Sequence, residues 1–186
     1  NNVVLRVNAE DWAGNTASSE INLSIDVTRP EVILTYDNNN AKNQKYFKED
    51  RDLTVTIKER NFEEEDFFLP MTIDGEKKDV SLADIRDGKY SLTMIADRQD
   101  TEAKVEQRLL DDARTITYKI GFGKESAADH DYQVAMKGQD TAGNAADVSF
   151  AEGSVAPSDF TIDKVAPVIR VSAESDGKDL TMTTDP

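Results

Sequence analysis

A five-residue motif occurs twice in this chain with its surroundings in the same order, and that repetition limits the fold more than any other feature. Asp11-Trp12-Ala13-Gly14-Asn15 near the start returns late in the chain as Asp140-Thr141-Ala142-Gly143-Asn144. Upstream of each motif, apolar and polar residues alternate. Val3, Leu5, Val7 and Ala9 align, at the same offset as the motifs, with Tyr132, Val134, Met136 and Gly138. Such alternation marks a half-buried strand. Downstream, Ile21 to Asp26 and Phe160 to Asp163 read as second strands, and a proline stands four residues past each aspartate, Pro30 after Asp26 and Pro167 after Asp163. The later copy carries eight extra residues between its motif and its last strand. A weaker echo links Asp52-Leu53-Thr54-Val55-Thr56 to Asp179-Leu180-Thr181-Met182-Thr183. The cycle implies a module that runs from about Thr28 to Val165. Residues 1–27 then form the tail of one module, 28–165 a complete one and 166–186 the opening of a third, as in a piece of a longer tandem array.

Within 28–165 the pattern predicts short strands separated by polar loops: Glu31 to Asp37, Leu53 to Glu59, Phe67 to Ile73, Tyr90 to Ala96, Thr115 to Phe122 and Tyr132 to Met136. Asp74-Gly75 and Asp87-Gly88 are turn signals between them. This spacing indicates an all-β antiparallel sandwich rather than βαβ units. Thr101 to Arg114 differs. It is rich in helix formers, with Val105 and Leu109 on one face and Asp100 placed as an N-cap, and it predicts a short helical insert. The formal charge of −15 repels phosphate backbones and anionic headgroups, which argues against nucleic-acid binding. No apolar run approaches the ~20 residues of a membrane span, so no membrane insertion is expected. The chain lacks cysteine, which removes disulfides and thiolate chemistry. Its single imidazole, His130, nearly excludes Ser–His–Asp catalysis and multi-histidine metal sites. No Gly-rich phosphate loop or H-E-x-x-H pattern occurs and no pair of acids stands out, so the chain is expected not to be an enzyme, with no catalytic and no cofactor-binding residues.

The Asp-x-Ala-Gly-Asn motif, the strand ending in aspartate, the linker proline, Tyr36-Asp37-Asn38-Asn39 after the first strand and Glu59-Arg60-Asn61-Phe62 after the second together resemble a bacterial Ig-like repeat domain. The resemblance covers essentially the whole chain. Such modules occur in tandem in large secreted or wall-attached proteins, notably of Gram-positive bacteria. It implies an immunoglobulin-like β-sandwich, with residues 1–27 as strands F and G of a preceding module and 166–186 as strands A and B of a following one. In the complete module, Tyr132 to Gln139 becomes strand F and Phe160 to Asp163 strand G. Tyr132 then occupies the place of a tyrosine corner, a buried ring with one hydrogen bond.

Each Asp-x-Ala-Gly-Asn motif has two readings. As a turn, its aspartate bonds backbone N–H groups while Gly and Asn accept positive φ. As a calcium site at a module junction, Asp11, Asn15 and Asp26 would supply oxygens at the first junction, and Asp140, Asn144 and Asp163 at the second. The turn is the preferred reading, and no metal ligand is assigned. Trp12 either packs into the junction, the favoured role, or stacks on a sugar ring. The acidic run Glu63 to Asp66 reads as a solvated loop. The cluster Asn38 to Asn40 suits a loop or sugar hydroxyls. A Lys–Asn isopeptide cross-link would need a lysine, an asparagine and an acid buried together. The expected function is an extracellular stalk, secreted or attached to the bacterial cell wall, that displays a terminal functional domain and whose partners are adjacent modules of the same protein. Alternatives are an adhesin or glycan-binding module meeting a host glycan or matrix protein, and an accessory module of a secreted glycan-degrading enzyme. The terminal pieces are expected to fray, or to pair with each other or with neighbouring molecules.

Overall fold

A computed structural model describes residues 2–86, 96–101, 114–124, 126–175 and 178–182. In chain order its strands are β1 (Asn2–Glu10), β2 (Thr16–Ser24), β3 (Glu31–Tyr36), β4 (Tyr46–Phe47), β5 (Arg51–Glu59), β6 (Phe67–Ile73), β7 (Glu76–Ser81), β8 (Ala96–Thr101), β9 (Arg114–Phe122), β10 (His130–Val134), β11 (Lys137–Gly138), β12 (Asp147–Phe150), β13 (Asp159–Ile162), β14 (Val171–Ser175) and β15 (Lys178–Met182). One short helix, α1 (Leu82–Arg86), follows β7. The chain is all-β, as its alternating pattern requires.

Two sheets carry the central residues. The first has the order β12-β3-β5-β9-β8, and the second β11-β6-β10-β13-β4 with β7 added on β6. Pairing is antiparallel except where β12 lies parallel to β3 and β13 parallel to β4. Every second residue points inward: Val32, Leu34 and Tyr36 on β3, Leu53, Val55 and Ile57 on β5, and Ile116, Tyr118, Ile120 and Phe122 on β9. From the other sheet come Phe67, Leu69, Met71, Tyr132, Val134, Phe160 and Ile162, and all join one core cluster. Each such side chain contributes about 1.5–3 kcal/mol when fully buried. The Tyr132 ring is enclosed and its hydroxyl accepts from the Gly123 N–H at 3.2 Å.

Equivalent positions of the two motif copies share a strand register. In the β1–β2 hairpin Val3 faces Leu23, and in β10–β13 Tyr132 faces Phe160, the residues that correspond to them in the second copy. Likewise Leu34 faces Val55 in β3–β5, and Val171 faces Met182 in β14–β15. The eight extra residues change the path, not the register. β2 runs unbroken from Thr16 to Ser24, whereas after the Gln139–Ala145 bridge the chain leaves to form β12 on the other sheet, then returns as β13. Val148 and Phe150 pack against the core during this excursion.

Some expectations change. Asp100 and Thr101 belong to β8, where they pair with Ile116 and Thr115, so the helix does not begin there with Asp100 as its cap. The edge of β9 offers a row of unpaired N–H and C=O groups, and ladder bonding to it outweighs helix propensity. The rest of the expected insert, 102–113, and most of the expected strand from Tyr90 to Ala96 lie outside the described residues. The sequence pattern does not announce β7, because Glu76-Lys77-Lys78-Asp79 lacks an apolar face. It forms because Asp74 and Gly75, at φ 51° and 86°, make the two-residue turn that folds the chain back on β6. Ser81 then caps α1: its Oγ accepts from the Asp84 N–H and donates to the Asp84 carboxylate.

One charged side chain is wholly enclosed. The Arg51 guanidinium lies 3.6 Å from the Tyr36 ring centroid, 4.2 Å from that of Phe47 and 4.7 Å from that of Phe160. It donates to the carbonyls of Asn38, Val155 and Ala156 and to Asn39 Oδ1, all neutral acceptors. Burial pulls its pKa down to about 10, so it stays charged at neutral pH. Replacing Arg51 with Ala orphans four oxygens and is expected to lower the unfolding free energy by about 3 kcal/mol or more. Arg51→Lys, whose ammonium cannot reach all four, is expected to fall between. Urea unfolding that finds Arg51→Ala as stable as the parent would show that the cation is not holding these loops.

Candidate functional site

The linker between β2 and β3 enters the central module through Asp26. Its Oδ1 accepts from the Thr28 N–H at 3.0 Å, which sets the local turn. Its Oδ2 accepts from Arg60 Nη2 at 3.2 Å and from Asn61 Nδ2. Arg60 and Asn61 stand at the corner just past β5. The backbone carbonyl of Asp26 accepts from Asn144 Nδ2 at 3.1 Å. A single aspartate therefore joins the linker to two loops of the module it leads into.

Asn144 belongs to the second Asp-x-Ala-Gly-Asn motif, which closes on itself. Asp140 Oδ1 accepts from the N–H groups of Ala142 and Asn144, at 2.9 and 2.8 Å, and Oδ2 accepts from Asn144 Nδ2 at 2.8 Å. The first motif makes the same bonds, with Asp11 accepting from Ala13, Asn15 and the Asn15 amide at 2.8, 2.9 and 2.8 Å. Gly14 and Gly143 adopt φ of 84° and 85°, which explains glycine at the fourth position. In both copies the aspartate does what the turn reading asks of it.

Three carboxylates converge where linker and turn meet. Oxygens of Asp26, Glu59 and Asp140 lie within 4.8 Å of one another, and Glu59 and Asp140 are 3% and 1% exposed. Burial pushes the Glu59 carboxyl above its usual range; the N–H groups of Asn61 and Arg60 oppose this, and the charges of Asp140 and Asp26 add to it. Asp26 is held below its usual range, first by the Thr28 N–H and then, against a burial penalty, by Arg60 and Asn61. A hard divalent cation takes six to eight oxygens. To bind here it would have to displace Arg60 and Asn61 from Asp26, so the arrangement is that of a docked linker.

The structure regroups the residues expected at the junctions. Asp26 meets Asp140 and Asn144 of the following motif, not Asp11 and Asn15 of its own. Asp163 is exposed, donates its N–H to the Phe47 carbonyl at 2.8 Å, and follows the end of β13 that pairs with His130. It does not join the Asp140 cluster. Sequence reasoning misses Glu59, Arg60 and Asn61 as site residues, although they stand in the Glu-Arg-Asn-Phe stretch that it singles out. Trp12 is fully exposed, and its counterpart Thr141 is exposed as well while its N–H bonds the Asn61 carbonyl. Glu64 corrects the solvated reading of the acidic run, since it is buried and accepts from the Tyr118 hydroxyl at 2.6 Å. Asn38 and Asn39 spend their polar groups on Arg51, Asp50 and Val155.

The departing linker is fastened at the other end of β10. Asp129 Oδ1 accepts from the N–H groups of Lys164 and Val165 at 2.7 and 2.9 Å. Lys164 Nζ donates to the carbonyls of Gly123 and Ser126 and pairs with Asp50 at 2.6 Å. This loop also contains a side-chain relay that a single histidine does not suggest. Ser126 Oγ lies 2.7 Å from His130 Nε2, and His130 Nδ1 lies 2.8 Å from Asp74 Oδ2. These are the distances of a nucleophile, base and acid. The Asp74 side chain is 49% exposed, and Ser126 Oγ also accepts from the Ala128 N–H. The row acts as a clasp between the exit loop and the Asp74–Gly75 turn. Among the described residues Lys124 pairs with Asp52, and Lys164 pairs with Asp50 and donates to backbone carbonyls rather than to an asparagine.

No protein-family model matches the chain, and no curated protein matches it.

Because Glu59 holds its proton more tightly when folded, its contribution to stability is full below the unfolded pKa and is lost as pH rises through the folded one. Glu59→Gln keeps an acceptor for the Asn61 N–H and removes the charge. It is expected to be more stable than the parent at pH near 8 and to match it near pH 4. Urea midpoints at both pH values measure this; a variant weaker than the parent at the higher pH would contradict it. Added calcium, followed by chelator, is expected to leave the midpoint unchanged. A calcium-dependent rise would mean that a cation replaces Arg60.

Proposed function

We propose that this chain is part of a tandem run of immunoglobulin-like sandwich modules that serves as a semi-rigid spacer in a secreted or wall-attached bacterial protein. The observation that carries the reading is that one module fastens both of its linkers. Asp26 is held by Arg60, Asn61 and Asn144 on entry, and Lys164 and Val165 are held by Asp129 and Asp50 on exit. A linker whose backbone and side chains are bonded to the module cannot behave as a free hinge.

Strand order supports the sandwich part of the proposal. β3, β5, β9 and β8 fall in the order A-B-E-D, and β6, β10 and β13 in the order C-F-G. The repeated registers support the tandem part. So does burial: Val3, Leu5, Val7 and Leu23 are exposed on β1–β2, while their counterparts Tyr132, Val134, Met136 and Phe160 are buried in the complete module. The face that β1–β2 leaves open is therefore the one a module covers with its other sheet. Trp12 takes the place of Thr141, whose side chain stays exposed with the linker docked. This favours an outward role for Trp12 over the junction packing expected from sequence.

The test is a distance measurement across the entering linker. The chain has no cysteine, so Ser18→Cys and Lys58→Cys give two unique spin-label sites on exposed strand residues. One narrow distance distribution is expected, and the pair Asp26→Ala and Asn144→Ala should broaden it severalfold. A broad distribution in the otherwise unaltered chain would sink the spacer reading.

A further inference from the structure

Outside the linker sites, a groove of about 700 Å³ crosses the outer face of the sheet formed by β7, β6, β10 and β13. That size falls within the range of small-ligand sites, about 300–1,000 Å³. Register places Lys77 opposite Thr72, Thr72 opposite Gln133, and Gln133 opposite Asp159, giving a transverse row of polar side chains. At a strand spacing of about 4.8 Å the row extends roughly 14 Å.

The groups in this groove divide into spent and unspent. Asp79 is paired with Lys137 at 2.8 Å, and Asp159 with Lys45 at 2.9 Å. Among the described residues, the side chains of Lys77, Thr72 and Gln133 have no hydrogen bond or ion pair, while Lys78, opposite the buried Met71, stands on the other face of β7. The uncommitted charge of the groove is thus positive, on a molecule whose formal charge is −15. Pro70 and Ala135 add apolar surface between the polar groups.

From this arrangement we infer that the groove binds a short oligosaccharide carrying carboxylate groups. Lys77 meets a carboxylate, Thr72 and Gln133 meet hydroxyls, and the proline and alanine surface meets sugar C–H faces. An acidic peptide fits less well. A bound main chain needs free strand N–H and C=O groups, and across the groove floor β6 and β10 are already paired on both sides, which leaves only the outer edge of β7. The inference does not depend on the spacer reading, since the groove lies on a sheet face and neither linker contributes to it.

Trigalacturonate and its neutral methyl ester share one skeleton and separate the charge from the hydroxyls. Titrated into the whole chain and followed by amide chemical shifts, the acid is expected to move the Thr72, Lys77 and Gln133 signals with submillimolar affinity. The ester and the variant Lys77→Ala should each bind about tenfold more weakly, the loss of one charge-assisted contact. Gln133→Ala should weaken acid and ester alike. All substitutions lie at exposed or partly exposed positions, and an unchanged unfolding midpoint confirms that the fold survives. Equal affinity for acid and ester, shifts confined to residues outside the groove, or tighter binding of an acidic peptide than of any saccharide would each overturn the proposal.

Discussion

Three consecutive residues at the start of β5, Asp50-Arg51-Asp52, hold together most of what distinguishes this module. The Arg51 cation lies against Tyr36 of the first sheet and against Phe47 and Phe160 of the second. Its donors reach the loop that leaves β3 and the loop that leads into β13. At both places the chain crosses from the first sheet to the second, β3 to β4 and β12 to β13, so the two crossings start on one parallel pair and end on the other. A buried guanidinium without an anion would ordinarily be costly. Here four oxygens and three rings replace its water shell, so the cost falls on any conformation in which either crossing is misplaced. On either side, Asp50 pairs with Lys164 of the exit linker, and Asp52 pairs with Lys119 and Lys124.

The linkers follow from that frame. β13 ends where its pairing with β10 ends, and this sets Lys164 and Val165 over Asp129 and Asp50. At the other end of β10, the second Asp-x-Ala-Gly-Asn turn brings Asn144 to Asp26. The cost of the entry site is the repulsion among Asp26, Glu59 and Asp140. It is met by Arg60, by amide donors and by the raised pKa of Glu59 rather than by surrender of the linker. This makes the junction specific: an incoming strand without an aspartate would leave Arg60 and Asn61 unpaired beside two buried acids.

Much of this is legible in the chain. The recurring motif and its alternating flanks locate β1, β2, β10 and β13, and Phe67 to Ile73 forms a strand with the bounds expected of it. Those features are local, and local spacing is what a repeat preserves. The parts that are not legible depend on contacts between distant residues. Nothing around Arg51 announces burial, because its partners lie 12 to 105 positions away. β12 reads as loop, since Asp147 to Phe150 is too short for its alternation to register. Sequence groups Asp26 with Asp11 and Asn15 because they share a module. In space it belongs to the next one, and only the register of both hairpins makes that visible.

The spacer and the groove make different demands on one set of strands, and the module meets them on different surfaces. Rigidity is concentrated at the two ends of β10, where loops and linkers exchange hydrogen bonds. The groove uses the middle of the outer face, where side chains of β6, β7 and β10 point away from the core and leave both ends untouched. In a tandem run whose modules shared these groove residues, the surface would be presented again by every copy. Weak binding to each copy would then add along the array through effective concentration. A stalk built from such modules would be adhesive along its length without giving up the fastened linkers that make it a stalk.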